Sequence, residues 1–511
     1  MIRTVLLATV AALVAAACAT DFTTTGSSAP ATPVQTQDSY YVSAHAAVEK
    51  RAAERGAPRA KNVILFIGDG MGISTITAAR IYAGQAKGLD GESYRLAMEQ
   101  LPYSAFSKTY THDSQVADSA PTATAMTTGV KSYNGTLGIT QGAKVSDCST
   151  AKANGTDTLW EIAEAAGLAT GVVSTARLTH ATPAATYAET TERDWENDSQ
   201  VPAAAKAAGC TDIAAQFMAW QKAYGDGFEV AMAGGREEFL PATGPDPEYP
   251  NRRGTRQDGR NMISEWTSAP GHVAVTDEAS FSAVNFNSDA KVLGLFEPSH
   301  MQYEADRARG GNREPSIIEM TKAAITRLAR NPKGYILMVE GGRIDHGSHD
   351  GNAARALSDA AAFDEAIAAA VAMTDPKETL IIVTADHSHT LMIQGYPQRN
   401  NPILGLAREN GKLALGQDGK PYTTLGYANG PGSICKEQPD KSWRCERPDL
   451  TNVDTTALDF KQQALMPLGS ETHGGEDVAI FAGGPSANLF SGTVEENEIF
   501  HVMAKALRLV K

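Results

Sequence analysis

Asn62-Val63-Ile64-Leu65-Phe66-Ile67-Gly68-Asp69-Gly70-Met71-Gly72 is the stretch on which the reading of this chain turns. Val63 to Ile67 is apolar without alternation, which predicts a strand buried on both faces, the usual state of a parallel strand covered by helices. The glycines then stop the strand and leave Asp69 just beyond its carboxyl end. Working outward, similar runs recur at Gly171-Val172-Val173-Ser174-Thr175, Tyr335-Ile336-Leu337-Met338-Val339, Leu380-Ile381-Ile382-Val383-Thr384 and Val478-Ala479-Ile480-Phe481. Alanine-rich amphipathic stretches lie between them, such as Thr156 to Ala166 and Ala353 to Ala372. Strands alternating with helices predict an α/β fold with a doubly wound, mostly parallel central sheet flanked by helices.

Composition agrees. A chain of 511 residues can bury roughly three quarters of its unfolded surface. With 42% hydrophobic and 20% charged residues it is globular, and collagenous, coiled-coil and multi-span membrane classes are excluded. Its 45 basic against 59 acidic side chains give a net charge of -14. Such a surface repels polyanions, so no nucleic-acid partner is expected.

The N-terminus reads Met1-Ile2-Arg3 and then an apolar run from Val5 to Ala17 broken only by Thr9. That run is shorter than the about 20 residues that span a bilayer and reads as a signal peptide, residues 1–17. Ala15-Ala16-Ala17-Cys18 fits both plain cleavage and a lipoprotein box with a lipid anchor on Cys18. Either way the chain is expected to be exported, to the periplasm or to a membrane as a lipoprotein. Residues 18–59, rich in Thr, Ser, Ala, Pro and Gln, are expected to be a flexible tether. Export permits disulfides. Cys148, Cys210, Cys435 and Cys445 allow three pairings, of which Cys148–Cys210 with Cys435–Cys445 is the sequence-local one. From about Tyr396 to Pro467 the chain is dense in Gly, Pro, Asn and Asp and is read as an insertion without clear strands.

Polar residues collect after the strands: Asp69, Glu340, and Asp386-His387. Open α/β sheets bind ligands at the carboxyl ends of their strands, so these side chains can converge. Singly, each reads as a helix-capping carboxylate. A helix beginning near Asp345 would put Asp345 and His349 on one face, a pairing suited to a divalent metal such as zinc. Of the 11 histidines, His180, His346, His349, His387, His389 and His473 fall in these few segments. Ser119, in Asp118-Ser119-Ala120-Pro121, is placed to cap a helix with Pro121 in its first turn. A helix N-terminus also attracts phosphate, so the same serine suits a nucleophile. No G-x-S-x-G run supplies a base, which leaves a metal to activate it.

Taken with Glu471-Thr472-His473-Gly474-Gly475-Glu476-Asp477, these motifs resemble those of the alkaline phosphatase family, from about Asn62 to Lys511. The resemblance implies hydrolysis of phosphate monoesters to alcohol and inorganic phosphate through a phosphoserine on Ser119, with two Zn2+ ions and one Mg2+ ion. Carried over motif by motif, one zinc takes Asp345, His349 and His473. The other takes Asp69, Asp386 and His387, facing Ser119. Magnesium takes Asp69, Glu340 and the Thr182 hydroxyl, because His180-Ala181-Thr182-Pro183-Ala184 is similar to the family's segment there. His180, His346 and Asp118 stand behind the ligands, and Arg193 aligns with the arginine that grips phosphate.

The histidines and the Gly341-Gly342-Arg343 spelling are closest to animal and marine bacterial members, and Cys148 and Cys210 fall where animal members form a disulfide. A fourth, Ca2+-type site is implied at Glu248, the Phe296 carbonyl, Glu297 and Glu314, oxygen ligands that suit a hard cation. The phosphatase domain is then 60–395 with 468–511. The insertion, 396–467, corresponds to the family's crown, which often contributes to a homodimer. Sulfatases and phosphodiesterases share the superfamily layout. Here Ser119-Ala120-Pro121-Thr122-Ala123 lacks the arginine a sulfatase needs, and Ser119 with Arg193 argues for monoesters. A catalytically silent metal- or phosphate-binding lipoprotein is the remaining rival, and the intact Ser119 weighs against it.

Overall fold

The computed structural model describes residues 30–310 and 313–510; the expected signal peptide and Cys18 lie outside them. Ten strands form the central sheet: β1 (Asn62–Ile67), β2 (Tyr103–Lys108), β3 (Ala169–Arg177), β4 (Val230–Gly234), β5 (His272–Val275), β6 (Lys291–Leu295), β7 (Tyr335–Glu340), β8 (Thr379–Thr384), β9 (Val478–Gly483) and β10 (Thr493–Glu495). Their order is β10-β2-β9-β8-β1-β7-β3-β4-β6-β5. All neighbours pair in parallel except those of β9, which runs against both β8 and β2. The apolar run at Val478 is thus a strand as expected, but reversed. A segment buried on both faces carries no mark of its direction.

The unbroken hydrophobicity of β1 follows from its place at the centre. Val63, Leu65 and Ile67 pack into the core on one side of the sheet, and Ile64 and Phe66 into the core on the other. Each such side chain, fully buried, contributes about 1.5–3 kcal/mol. β1 lies between β7 and β8, so Asp69, Glu340 and Asp386 emerge from three adjacent strands at one end of the sheet. That is the switch point where doubly wound sheets open a crevice.

Two expectations are corrected. The segment read as a tether contains a 17-residue helix, α1 (Ser39–Arg55), capped by Asp38 and closed by Gly56. Tyr41, Ala44 and Val48 are buried, and the helix packs on the last one, α6 (Glu498–Leu507); between them in the chain run α2 (Ser119–Thr128), α3 (Leu159–Ala166), α4 (Arg343–His349) and α5 (Ala353–Met373), among other helices. Arg51–Glu498 and Lys505–Glu49 ion pairs fasten α1 to α6. The insertion, read as strandless, carries short strands. Leu391–Ile393, Leu425–Gly430 and Ala464–Pro467 make a three-stranded sheet, and Cys435–Glu437 pairs with Trp443–Cys445. Disulfides join Cys148 to Cys210 and Cys435 to Cys445.

Candidate metal centre

Ser119 is the first residue of α2, and Asp118 occupies the N-cap position. The expectation that Ser119 caps the helix is therefore corrected by one residue. Its hydroxyl is free of capping duty and lies 3.1 Å from His387 Nε2. Asp118 instead accepts from Gly135 N–H and pairs with Arg193. Burial pushes the Asp118 carboxyl up, but Arg193 and the Gly135 N–H outweigh it, and it stays below the usual range. Arg193 also donates from Nη2 to His180 Nε2, at 2.9 Å.

Three clusters of ligand-type atoms meet here, each with its atoms within 4.8 Å of one another: Asp345, His349, His389 and His473; Asp69, Asp386 and His387; and Asp69, His180 and Glu340. In the first, His349 Nδ1 donates to the Glu471 carbonyl at 2.5 Å and His473 Nδ1 to the Ala117 carbonyl at 2.6 Å. Both Nε2 lone pairs then face inward, 3.1 Å apart, with Asp345 Oδ1 3.3 Å and 3.5 Å from them. In the second, His387 Nδ1 is turned to the Ser388 carbonyl, and its Nε2 lies 3.5 Å from Asp69 and 3.3 Å from Asp386. Burial holds His387 and His473 down to about 3, so both are neutral and free to ligate.

Several oxygens in the second and third clusters are buried without a hydrogen-bond partner: both of Asp69, Oδ2 of Asp386, Oε1 of Glu340 and Oγ1 of Thr182. Burial first, then the charges of Asp386, Asp345 and Glu340, hold Asp69 well above the usual carboxylate range. Burial likewise lifts Asp386, and raises Glu340 to about 7. Converging lone pairs and uncompensated buried carboxylates are what cations relieve, and the nitrogen and oxygen donors gathered here are of the kinds that divalent metal ions take.

His389 and Glu471 were given no role by the sequence. His389 donates to Asp345 at 2.7 Å and to Glu471 at 2.5 Å. Burial lowers its pKa, but these two carboxylates win and raise it to about 10. With both ring nitrogens donating, it orients Asp345 rather than offering a lone pair. The signal was the His387-x-His389 spacing, which in extended backbone sends both rings to the same side, and their centroids lie 5.8 Å apart. The partner that completes the arrangement arrives by a short antiparallel bridge, His473 opposite His389. Gly70 is required beside it, since a Cβ there would lie 2.3 Å from the His389 ring and φ is +65°. His180 accepts from Arg193 at Nε2, which puts its proton on Nδ1 and makes that atom a donor. His346 meets His180 edge to face and His300 at a tilt, their ring centroids 5.5 Å and 4.1 Å away.

The residues expected for a fourth ion are neighbours but are engaged elsewhere. Arg236, buried and paired with Asp246, donates to Glu248 at 3.1 Å and to the Phe296 carbonyl at 2.9 Å. Glu297 accepts from Tyr249, and Glu314 accepts from Gln302 N–H while its Oε2 has no partner.

The sequence matches the family profile described as Alkaline phosphatase over residues 60–509. It is 44% identical over 457 residues to the tissue-nonspecific alkaline phosphatase of Gallus gallus, covering 88% of this chain and 84% of that one. Against the alkaline phosphatase of Gadus morhua it is 44% identical, over 88% of this chain and 92% of the relative. The crystal structure of Thermus thermophilus alkaline phosphatase superposes with a TM-score of 0.62 at 25% identity, covering 89% of this chain and 92% of that one. That of the Antarctic bacterium TAB5 shares the fold with a TM-score of 0.58 at 24% identity, over 89% of this chain and 100% of that one. A metal-ready crevice at the switch point, a serine at its edge and relatives of this identity along nearly the whole chain lead to one conclusion: the chain belongs to the alkaline phosphatase family, hydrolases of phosphate monoesters.

Proposed function

We propose that the reaction runs through a phosphoserine on Ser119, with zinc held by Asp345, His349 and His473, a second zinc by Asp69, Asp386 and His387, and magnesium by Asp69, Glu340 and Thr182. The observation that carries this reading is the place of Ser119 Oγ, 3.1 Å from His387 Nε2 at the point where the free lone pairs of the second cluster converge. When bound, such ions supply Lewis-acid stabilisation of the serine alkoxide, of the leaving oxygen and of a nucleophilic water.

The chain's own residues do the rest. Arg193, held by Asp118 and steadied by His180, presents its guanidinium to two phosphate oxygens and orients phosphorus for in-line attack. Ser119 oxygen bonds to phosphorus as the ester P–O bond breaks, and the alcohol leaves with a proton. Water then cleaves the phosphoserine, releasing inorganic phosphate and restoring the Ser119 hydroxyl. His389 and Glu471 hold Asp345, and the carbonyls of Glu471 and Ala117 fix the tautomers of His349 and His473, the outer support that metal-binding imidazoles need.

The same reading places a Ca2+-type ion at Glu248, Phe296, Glu297 and Glu314 if Arg236 yields Glu248 and the Phe296 carbonyl. It also includes export, with a lipid on Cys18 or release into the periplasm. Among the described residues no helix is long and apolar enough to cross a membrane. A homodimer through the insertion is supported by exposed Leu465, Met466 and Leu468 on and beside its edge strand.

The test is hydrolysis of p-nitrophenyl phosphate, its bis-ester and its sulfate in parallel at alkaline pH, before and after chelation and with zinc and magnesium restored. Monoester cleavage that disappears with chelator and returns with metal is expected. Dominant diester or sulfate cleavage would overturn the monoesterase reading, and inactivity on all substrates with metal restored would favour a silent binding protein.

A further inference from the structure

At the opposite end of the sheet, where β3 and β4 begin, three more carboxylates converge. Glu164 lies in the last turn of α3, Glu229 immediately precedes β4, and Asp226 sits in the turn before it. We propose that Glu164, Glu229 and Asp226 form a binding site for a divalent cation of the calcium class, which clamps the 224–229 turn to α3. The site is separate from the catalytic centre and from the Glu248–Glu297–Glu314 group, and the inference does not depend on the proposed reaction.

Glu164 and Glu229 are 2% and 5% exposed, so neither carboxylate is solvated. Thr170 holds them side by side: its N–H donates to Glu229 Oε2 at 2.7 Å and its hydroxyl to Glu164 Oε1 at 2.6 Å. The other oxygen of Glu164 is buried with no hydrogen-bond partner. It faces the turn, since a Cβ on Gly225 would lie 2.3 Å from it, and Gly225 has φ +51°. Backbone therefore passes directly over that oxygen, with Asp226 next in sequence. A carboxylate in the last turn of a helix is also opposed by the helix dipole, which adds to the demand for positive charge.

Geometry and charge point to the class of ion. One oxygen from each of the three carboxylates lies within 4.8 Å of the others. Oxygens on one calcium ion, at about 2.3–2.6 Å each, stand no more than about 5 Å apart. No histidine or cysteine is in the cluster, so the donor set is hard oxygen only. Among the described residues Lys291 is the cation in ion-pair range of it, and the Arg327 charge also reaches Glu229 from farther off. Its ammonium donates to the carbonyls of Asp226 and Gly227 and lies 3.1 Å from Asp226 and 4.0 Å from Glu229. One ammonium against three carboxylates leaves two negative charges, the complement of a divalent ion. Burial, with the Glu229 charge behind it, raises Glu164 to about 8, and burial raises Glu229 to about 7 against the pull of Lys291 and the Thr170 N–H. The rival arrangement is a proton shared by the two glutamates.

The experiment uses the full zinc- and magnesium-loaded chain and reads bound calcium per chain and the thermal midpoint as CaCl2 is added. Glu164→Gln and Glu229→Gln are expected to bind one calcium fewer per chain than the parent and to lose the matching part of the calcium-induced rise, with p-nitrophenyl phosphate turnover unchanged. Asp226→Asn, at a side chain 76% exposed and safe for folding, is expected to weaken this calcium by about tenfold, since ligand charge sets affinity in such sites. Glu297→Gln marks any calcium held near Arg236 and should leave this one in place. Parent-like calcium content and midpoint response in Asp226→Asn and in whichever glutamine variants fold would overturn the proposal in favour of the shared proton.

Discussion

His349 Nε2 and His473 Nε2 face each other at 3.1 Å, while the Nδ1 of each is tied to a backbone carbonyl. A neutral ring can turn its proton inward only by giving up its outer hydrogen bond, so in the neutral state the two lone pairs repel until a metal ion or a proton lies between them. The backbone carbonyls of Glu471 and Ala117 thereby commit both rings to ligation in advance.

Chelation should therefore cost stability as well as turnover. Without divalent ions, the crevice keeps opposed imidazoles and partnerless carboxylates, and the thermal midpoint is expected to fall by several degrees. Calorimetry with chelator and with zinc and magnesium restored reads this directly. An unchanged midpoint would mean that the side chains relax without an ion.

Replacing the nucleophile separates chemistry from assembly. Ser119→Ala is expected to lower monoester turnover by about three orders of magnitude or more while metal content stays at the parent's level. Near-parental turnover would remove the covalent step.

Arg193→Ala should raise the inhibition constant for inorganic phosphate by about 10- to 100-fold, the worth of a lost charge-assisted contact. Asp118→Asn should show a smaller loss of the same kind, because it loosens Arg193 rather than deleting it. Equal phosphate inhibition in parent and Arg193→Ala would take the arginine out of the site.

Glu471→Gln weakens the grip on His389 and through it on Asp345. Zinc affinity is expected to drop by about 10- to 100-fold, the usual effect of disturbing groups behind a ligand, and excess zinc should recover turnover. A loss that zinc does not rescue would point to misfolding instead.

Glu161, in the capping box that opens α3, offers a test of buried charge far from the metals. Burial raises it to about 8, against about 4.3 for free glutamate. Its stabilisation is complete below about 4.3 and is lost as pH rises through about 8, so the fold is penalised most in alkali. Glu161→Gln keeps an acceptor for the Thr158 N–H and should raise the thermal midpoint at about pH 9.5 by about 1–3 °C. No gain is expected at about pH 5, and an equal gain at both would refute the assignment.

Five strands, β1, β3, β7, β8 and β9, were legible because burial on both faces writes itself as unbroken apolar runs, and several of the carboxylates and histidines that converge were legible because they stand where those runs stop. Peripheral strands such as Tyr103–Lys108, second from one edge of the sheet, and His272–Val275, at the other edge, were not, since exposure dilutes the pattern. α1 escaped because Ala, Glu, Lys and Arg at helical spacing resemble a solvated linker until Tyr41, Ala44 and Val48 find their partner helix. The roles of His389 and Glu471 depend on two segments meeting across a bridge at residues 388–389 and 473–474, which no local pattern records.

That bridge also sets an order of events. Asp69, Glu340, Asp386 and His387 are all in place once β8 has been made, but His473 lies beyond the whole insertion, next to the reversed strand β9. A growing chain that has not reached it holds the second and third clusters and three of the four residues of the first. The cluster of Asp345, His349, His389 and His473 is thus completed by its most C-terminal member, after the others are in place. A chain stopped between His389 and His473 would hold Ser119 and Arg193 but lack one member of that cluster, so its closure waits on the segment that follows the insertion.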